Sequence, residues 1–454
     1  MNSSVLPKSL DEGDAVSGPG RRDRTGPCGS TGIGLGVRSY ASLCWIAIGY
    51  LSFVVVITWL TGHLGEIGNE ALFFSSWTDA AGYRQLADYA VSLGQTERPP
   101  DYLLQHRDFL FPVYLGLYHV VGVGGMQLFQ LMLNVLSLWC VYVALEISTR
   151  RRWPGCLACA ILALTPSFTL LAFHALTETI ALFLVSAFAL LLARHCWLKE
   201  SEHLPPAVGI LSLLVCIRPI AFPFWVLVSA YYWFVWRKTH RVSGWQPILL
   251  AGPIVVQALL SSAINGSPAV ASVGWVAFEE WFFPVVYQLQ EYGRFDGRES
   301  QQALEGLRRF PSLAGKLAYV LRHYDTSVVS YAKLLLGEHL LAGSNFAHTR
   351  LPGANSGVVR MVEGWSILLS RLFLFGHCAM FLVVLSLRRR RPGWRPEFGV
   401  SVCYLFAAIL ILPAGLAYLQ GDRYMLLAEP LWLIAHGAVL SRFLSGPSDA
   451  LLDA

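Results

Sequence analysis

Residues 43–60 read LCWIAIGYLSFVVVITWL, and residues 75–90 read SSWTDAAGYRQLADYA. The first stretch is 18 residues long and carries no charge. As a helix it is long enough to cross most of a hydrocarbon layer about 30 Å thick. The second opens a short polar helix with Asp79 soon after that crossing. Asp79 and Tyr83 are four residues apart and share a face that Leu86 and Ala90 continue, while Arg84 and Asp88 point elsewhere.

Working outward, similar apolar runs recur along the chain. Of the 454 residues, 55% are hydrophobic and 14% charged, against about 25% charged in soluble domains. The mean hydropathy is +0.50. Backbone groups in lipid need partners within their own segment, so the spans are helices. The short alternating segments of a β-barrel are not visible. The sequence predicts an all-α polytopic membrane protein of roughly 9–11 transmembrane helices with outer juxtamembrane helices.

The net charge of +5 requires no nucleic-acid partner. Much of the basic excess sits in short segments beside spans, at Arg150-Arg151-Arg152, around 237–241 and at 388–395, as the positive-inside rule expects. Nine cysteines are scattered; Cys156 and Cys159 form a CxxC inside an apolar helix with no second pair, which reads as packing rather than zinc or redox chemistry. The GIGLG at 32–36 has no preceding strand and no GK[ST] ending, so it reads as linker.

Four regions are expected. Residues 1–40 are a disordered cytoplasmic tail without a cleavable signal. Residues 41–289 form a transmembrane catalytic module with its first outer loop at 61–108. Residues 290–362 form an outer juxtamembrane cap, and residues 363–454 the last transmembrane helices. Charge parity requires residues 109–147 to cross an odd number of times. Either FLFPVYLGLYHVVG does not fully cross, or one arginine cluster breaks the charge rule. AVASVGWVAFEEWFFPVVYQL, at 269–289, carries Glu279-Glu280 and reads as interfacial.

Five polar features stand where lipid makes them costly, and each has an ordinary reading beside a functional one. Asp79 either caps its helix or serves as a catalytic acid–base group. His106-Arg107-Asp108 is either an interfacial anchor or, through the guanidinium, a phosphate ligand. Glu178 is either a helix-start carboxylate or a site residue with His174 one turn earlier. Arg218, in CIRPIAF, either snorkels or is held at the surface by a turn at Pro219. Arg423, followed by Tyr424, either pairs with Asp422 or faces the same outer side. Together they place one acid and three arginines on one outer face, which suits a phosphate-bearing lipid.

The order of these motifs resembles the GT-C class of membrane glycosyltransferases, over about residues 41–440. The carriers are WTDAAGYRQLADYA followed by FLFPVYLGLYHVVG, then TPSFTLLAFHALTET, CIRPIAF and GDRYMLLAEPLWLI. The first pair looks most like the GPI-mannosyltransferase branch, beside protein O-mannosyltransferases. The chain departs from the pattern with Asp79-Ala80 where many bacterial members carry Asp-Glu, and with HRDFLFP where KPPL is common.

The resemblance implies an inverting transferase in the bacterial inner membrane, active on the outer side. It would move a sugar from a polyprenyl-phosphate donor to a glycan, lipid or protein acceptor. Asp79 would be catalytic. Arg107, Arg218 and Arg423 would bind the donor phosphate. Tyr83, His106, Asp108, His174, Glu178 and Tyr424 would bind substrate. No cofactor is required; for members that use Mg or Mn, Asp79 with Asp108 or Glu178 would supply oxygen ligands. The competing readings are an O-antigen ligase or polymerase, acting through Arg294, Arg298, Arg308, Arg309 and Arg322, and a lipid-linked-glycan transporter or flippase, which predicts charges deep in spans.

Overall fold

The computed structural model describes residues 37–75, 77–92, 95–100, 103–104, 110–236, 246–265, 277–297, 300–341, 357–390, 397–412 and 421–444. The expected tail at 1–40 therefore lies almost wholly outside the described residues. Among the described residues every regular element is helical. Among the same described residues four helices are long and apolar enough to cross a membrane, and a fifth span results if one bent pair is counted.

Helix α1 (Val37–Thr61) leads through a 3₁₀ turn to α2 (Glu70–Ser75) and α3 (Trp77–Val91). The six-residue α4 (Leu110–Leu115) precedes α5 (Tyr118–Thr149), which bends at Gly122, where φ is 73°. So FLFPVYLGLY supplies a short element and a single long helix follows it.

Next come α6 (Trp153–Ala163) and α7 (Pro166–Leu170), which continues as a 3₁₀ turn to Phe173; the pair bends by 71°. Pro166 lacks the N–H that would continue the helix and pushes Thr165 to extended backbone (ψ 111°). Helix α8 (Glu178–Trp197) and α9 (Leu204–Ile217) run antiparallel, and α10 (Phe222–Tyr231) follows the Arg218-Pro219 break. Helix α11 (Gln246–Asn265) packs on α9.

A smaller group follows: α12 (Phe283–Tyr292), α13 (Gln301–Arg309), α14 (Leu313–Arg322) and α15 (Tyr324–Leu341). Ser300 and Ser312 cap α13 and α14 through their side-chain oxygens. Its aromatic core joins Phe278, Phe282, Phe283, Tyr287 and Tyr319, and Glu279 pairs with Lys316 at 3.3 Å. The cap thus draws in residues before 290. The last helices are α16 (Gly357–Arg390), α17 (Phe398–Ile411) and α18 (Gly421–Leu444), and α16 runs unbroken through the expected boundary at 362.

The main core is built around α5, with α8 and α18 packed along it, α17 on α18, and α9 on α8. Two ends can be told apart. At the near end, Tyr118 at the start of α5 donates to Asp88 of α3 (2.7 Å), and Ala175 donates its N–H to Phe73 O (2.9 Å). At the far end, Ser441 of α18 donates to Thr149 O of α5, and Glu397 joins Trp197 and Arg442. Arg150–Arg152 follow α5 at this far end. The basic stretch at 237–241 is flanked by Tyr232 and Gln246, which are hydrogen-bonded beside Leu204 at the start of α9.

Apolar side chains cover much of the outer surface. Trp45, Ile48, Val55 and Trp59 of α1 are exposed, as are Leu368, Leu372, Phe375 and Phe381 of α16. The CxxC is split: Cys159 is buried and bonds Leu138 O, while Cys156 faces outward.

Candidate functional site

Breaking a helix exposes carbonyls that have lost their i+4 donors, and away from water these need partners. The bend at 164–166, and the short α7 with its 3₁₀ turn that ends at Phe173, leave several. Three amides on one face of α5, at spacings of three and four, receive them. Asn134 donates to Phe168 O (2.7 Å) and to the Tyr50 hydroxyl (2.9 Å). Gln127 donates to Phe173 O (3.3 Å) and accepts from Gly68 N–H (2.9 Å). With its amide oriented to fit the network, Gln130 donates to Ala172 O (2.8 Å) and His174 O (3.2 Å). From α16, Trp365 donates to Leu164 O at 3.2 Å.

This polar seam fixes the 174–178 turn. His174 is buried, edge-on to His63 at 5.8 Å between ring centres, and His63 contacts the Thr61 hydroxyl at 2.8 Å. Glu178 begins α8, where the helix dipole favours a carboxylate. It is 1% exposed and forms an ion pair with Arg218, which is 13% exposed. Arg218 has extended backbone (φ −137°, ψ 89°), set by the following Pro219. The proline break expected from CIRPIAF is thus what delivers the guanidinium to Glu178.

The structure pairs Glu178 with Arg218 and puts His174 on the turn just before Glu178; the Phe73–Ala175 bond ties that turn to α2, which precedes α3. Asp79 lies in the first turn of α3, two residues after the helix opens at Trp77. That position differs from the expected N-cap, although it too favours a carboxylate. The Asp79 side chain lies outside the described residues. Arg423 and Tyr424 are in the first turn of α18, at the near end, and their side chains are likewise outside the description. His106, Arg107 and Asp108 lie wholly outside the described residues.

Tyr83, expected to bind substrate, is buried with its ring edge-on to Phe111 at 4.8 Å. The face of α3 that carries it also buries Ala80, Leu86, Ala87 and Ala90, so this stripe packs on α4 and its neighbours. The polar face of α3 carries Asp88, which accepts from Tyr118 and lies 3.0 Å from His119 Nε2, and Arg84, which pairs with Glu70.

Among the described residues no group of three His, Cys, Asp or Glu is placed to hold a metal. Of the oxygens on Glu178, Oε1 is the one paired with the Arg218 guanidinium. Of the arginines assigned to a ligase, Arg294 pairs with Asp296 (3.0 Å), and Arg309 sits 5.9 Å from the Phe310 ring centre.

Sequence reasoning missed Gln127, Gln130, Asn134 and His63. Their signal was present: three amides in register within the apolar run MQLFQLMLNVLSLW. No family model, curated protein or solved structure matches this chain.

Proposed function

We propose that the chain is a polytopic membrane glycosyltransferase that moves a sugar from a polyprenyl-phosphate donor to an acceptor at the near end of the bundle. In this reading α1, α5, the bent α6–α7 pair, α8–α11 and α16–α18 cross the membrane. The exposed apolar faces of α1 and α16 meet lipid, and the basic far end is cytoplasmic. The near end is then the outer, periplasmic side.

One observation carries the proposal. The first turn of α3, the buried Glu178–Arg218 pair and the start of α18 share one end of the bundle, although they come from distant parts of the sequence. A glycosyl phosphate leaves as an anion, and a preorganised guanidinium stabilises that charge as it develops. Glu178 holds Arg218 in place and sets how much of its charge is left for a phosphate. Asp79 would accept the proton from the acceptor hydroxyl. A phosphate leaving group needs no second carboxylic acid as proton donor.

The test is full-length chain in lipid vesicles, incubated with radiolabelled polyprenyl-phosphate sugars. Asp79→Asn is expected to lower transfer by at least about 100-fold, the usual scale for losing a general base. Normal transfer by Asp79→Asn removes the catalytic assignment, and no consumption of any donor removes the transferase reading. A transporter for lipid-linked glycans is the second reading. It is favoured by a buried Glu–His–His chain within α16 and α18. Donor-dependent movement of a labelled lipid across the vesicle without glycosyl transfer would select it.

A further inference from the structure

Helices α16, α17 and α18 hold a hydrogen-bonded chain of ionisable side chains that the transferase reading does not use. Tyr404 OH lies 2.9 Å from His436 Nδ1. His436 Nε2 lies 2.9 Å from His377 Nδ1. His377 Nε2 lies 3.2 Å from Glu429 Oε1. Trp432 stacks on His377, with ring centres 4.6 Å apart and planes at 24°. Glu429 is 2% exposed and His377 8%.

Two further facts separate this chain from ordinary packing. Glu429 Oε2 and Trp432 Nε1 are buried and have no hydrogen-bond partner among the described residues. Pro430, inside α18, removes the N–H that would bond Leu426 O, which loosens the helix beside Glu429.

Proton counting allows two polarities, because a phenol can donate or accept, and the charge on Glu429 chooses between them. A hydrogen bond holds one proton, and a neutral imidazole has one donor and one acceptor. With Glu429 ionised, Tyr404 donates its proton to His436 Nδ1. His436 then donates from Nε2 to His377 Nδ1, and His377 donates from Nε2 to an ionised Glu429. All three bonds point from Tyr404 toward the carboxylate. A buried carboxylate with one oxygen lacking a partner among the described residues is costly.

We propose that Glu429, His377, His436 and Tyr404 form a buried proton-binding site, with Glu429 as the acceptor and Tyr404 as the other end of the relay. One proton taken up at Tyr404 reaches Glu429 by three transfers. Tyr404 gives its proton to His436 Nδ1, His436 gives the Nε2 proton to His377 Nδ1, and His377 gives the Nε2 proton to Glu429 Oε1. Tyr404 is made whole by the incoming proton, so charge and atoms balance. Glu429 and His436 are seven residues apart on α18, about 10 Å along its axis. The inference rests on the membrane reading of the bundle only for its depth in lipid, and is independent of glycosyl transfer.

No other described residue is hydrogen-bonded or ion-paired to the four. The ionisable groups on the helices packed against them include Cys403 on α17, Arg194, His195 and Cys196 in the last turns of α8, Glu146 near the end of α5, and Tyr331 and Lys333 on α15. Arg371 and Cys378 lie on α16 itself, and Arg442 on α18 pairs with Glu397.

The experiment follows the protonated-carboxyl C=O stretch by infrared difference spectroscopy. It uses full-length chain in vesicles of phosphatidylcholine and phosphatidylglycerol, over about pH 4–9, which brackets the carboxyl and imidazole reference values. A band that grows as pH falls and is missing in Glu429→Gln is expected. His377→Phe removes the N–H that stabilises the carboxylate, so its midpoint is expected to rise by at least about one pH unit, a tenfold gain in proton affinity. Tyr404→Phe leaves Glu429 in place and is expected to shift the midpoint the same way by less. A band absent or constant in the unaltered chain overturns the proposal. So does a band unaffected by Glu429→Gln or, where that variant fails to accumulate, a midpoint common to the other three chains.

Discussion

Replacing Arg218 by alanine tests the Glu178–Arg218 pair most directly. Glu178 is 1% exposed, so removing Arg218 takes the opposite charge from a buried carboxylate. Removing one member of a buried pair costs about 3–5 kcal/mol, most of it from the stranded charge. The opposite change is milder. Arg218 is 13% exposed at the start of a helix break, and its long stem can swing the guanidinium outward. Glu178→Gln is therefore expected to cost less than Arg218→Ala, on the order of 1–3 kcal/mol, the scale of one lost charged hydrogen bond. The double variant Glu178→Gln/Arg218→Met leaves no charge behind and should recover most of the Arg218→Ala loss. Chemical unfolding of the full-length chain in mixed micelles, followed by tryptophan fluorescence, measures all three. Two single variants each within about 1 kcal/mol of the parent, and additive in the double, would refute a coupled buried pair. The design also separates roles, because the double variant is expected to be stable yet unable to transfer sugar.

Three further outcomes follow from the geometry. Gln130→Leu strands the carbonyls of Ala172 and His174 and should cost about 1–3 kcal/mol; hydrogen exchange across residues 164–178 should rise, with the ends of α5 unchanged. At Gly155 an added Cβ would meet the Tyr142 side chain at 2.8 Å and its carbonyl at 3.0 Å; Gly155→Ala should destabilise by about 1–3 kcal/mol by forcing α6 off α5, read as a lower midpoint of chemical unfolding. Burial, and then the hydrogen bond to Glu291, push the Tyr319 phenol above its ordinary value. Its neutral form is thus favoured in the fold, and that stability is full below about pH 10 and is lost as pH rises beyond it. Tyr319→Phe should be less stable than the parent at neutral pH, and the gap should narrow in thermal melts above about pH 10.

The cap shows how far pattern reaches. Helical spacing in LAGKLAYVLRHY and SVVSYAKLLLGEHLL matches α14 and α15 closely, because local periodicity dictates both the helix and its buried face. The same reasoning found the Arg218-Pro219 break and the buried face of α3. It did not show that Tyr83 would lie edge-on to Phe111, because that contact joins two helices.

By itself the sequence determined the helical class, the main apolar spans, their punctuation by proline, and the basic segments that mark one end. These depend on composition and on residues within a turn of one another. Only the tertiary structure decided which polar residues meet. Glu178 and Arg218 are 40 residues apart, and His377 and Glu429 are 52 apart. Such pairs form because two helix breaks and a three-helix packing bring them within reach. In an apolar interior each buried polar group is costly until it finds a partner, and that requirement selects the partner without leaving a local mark on the chain.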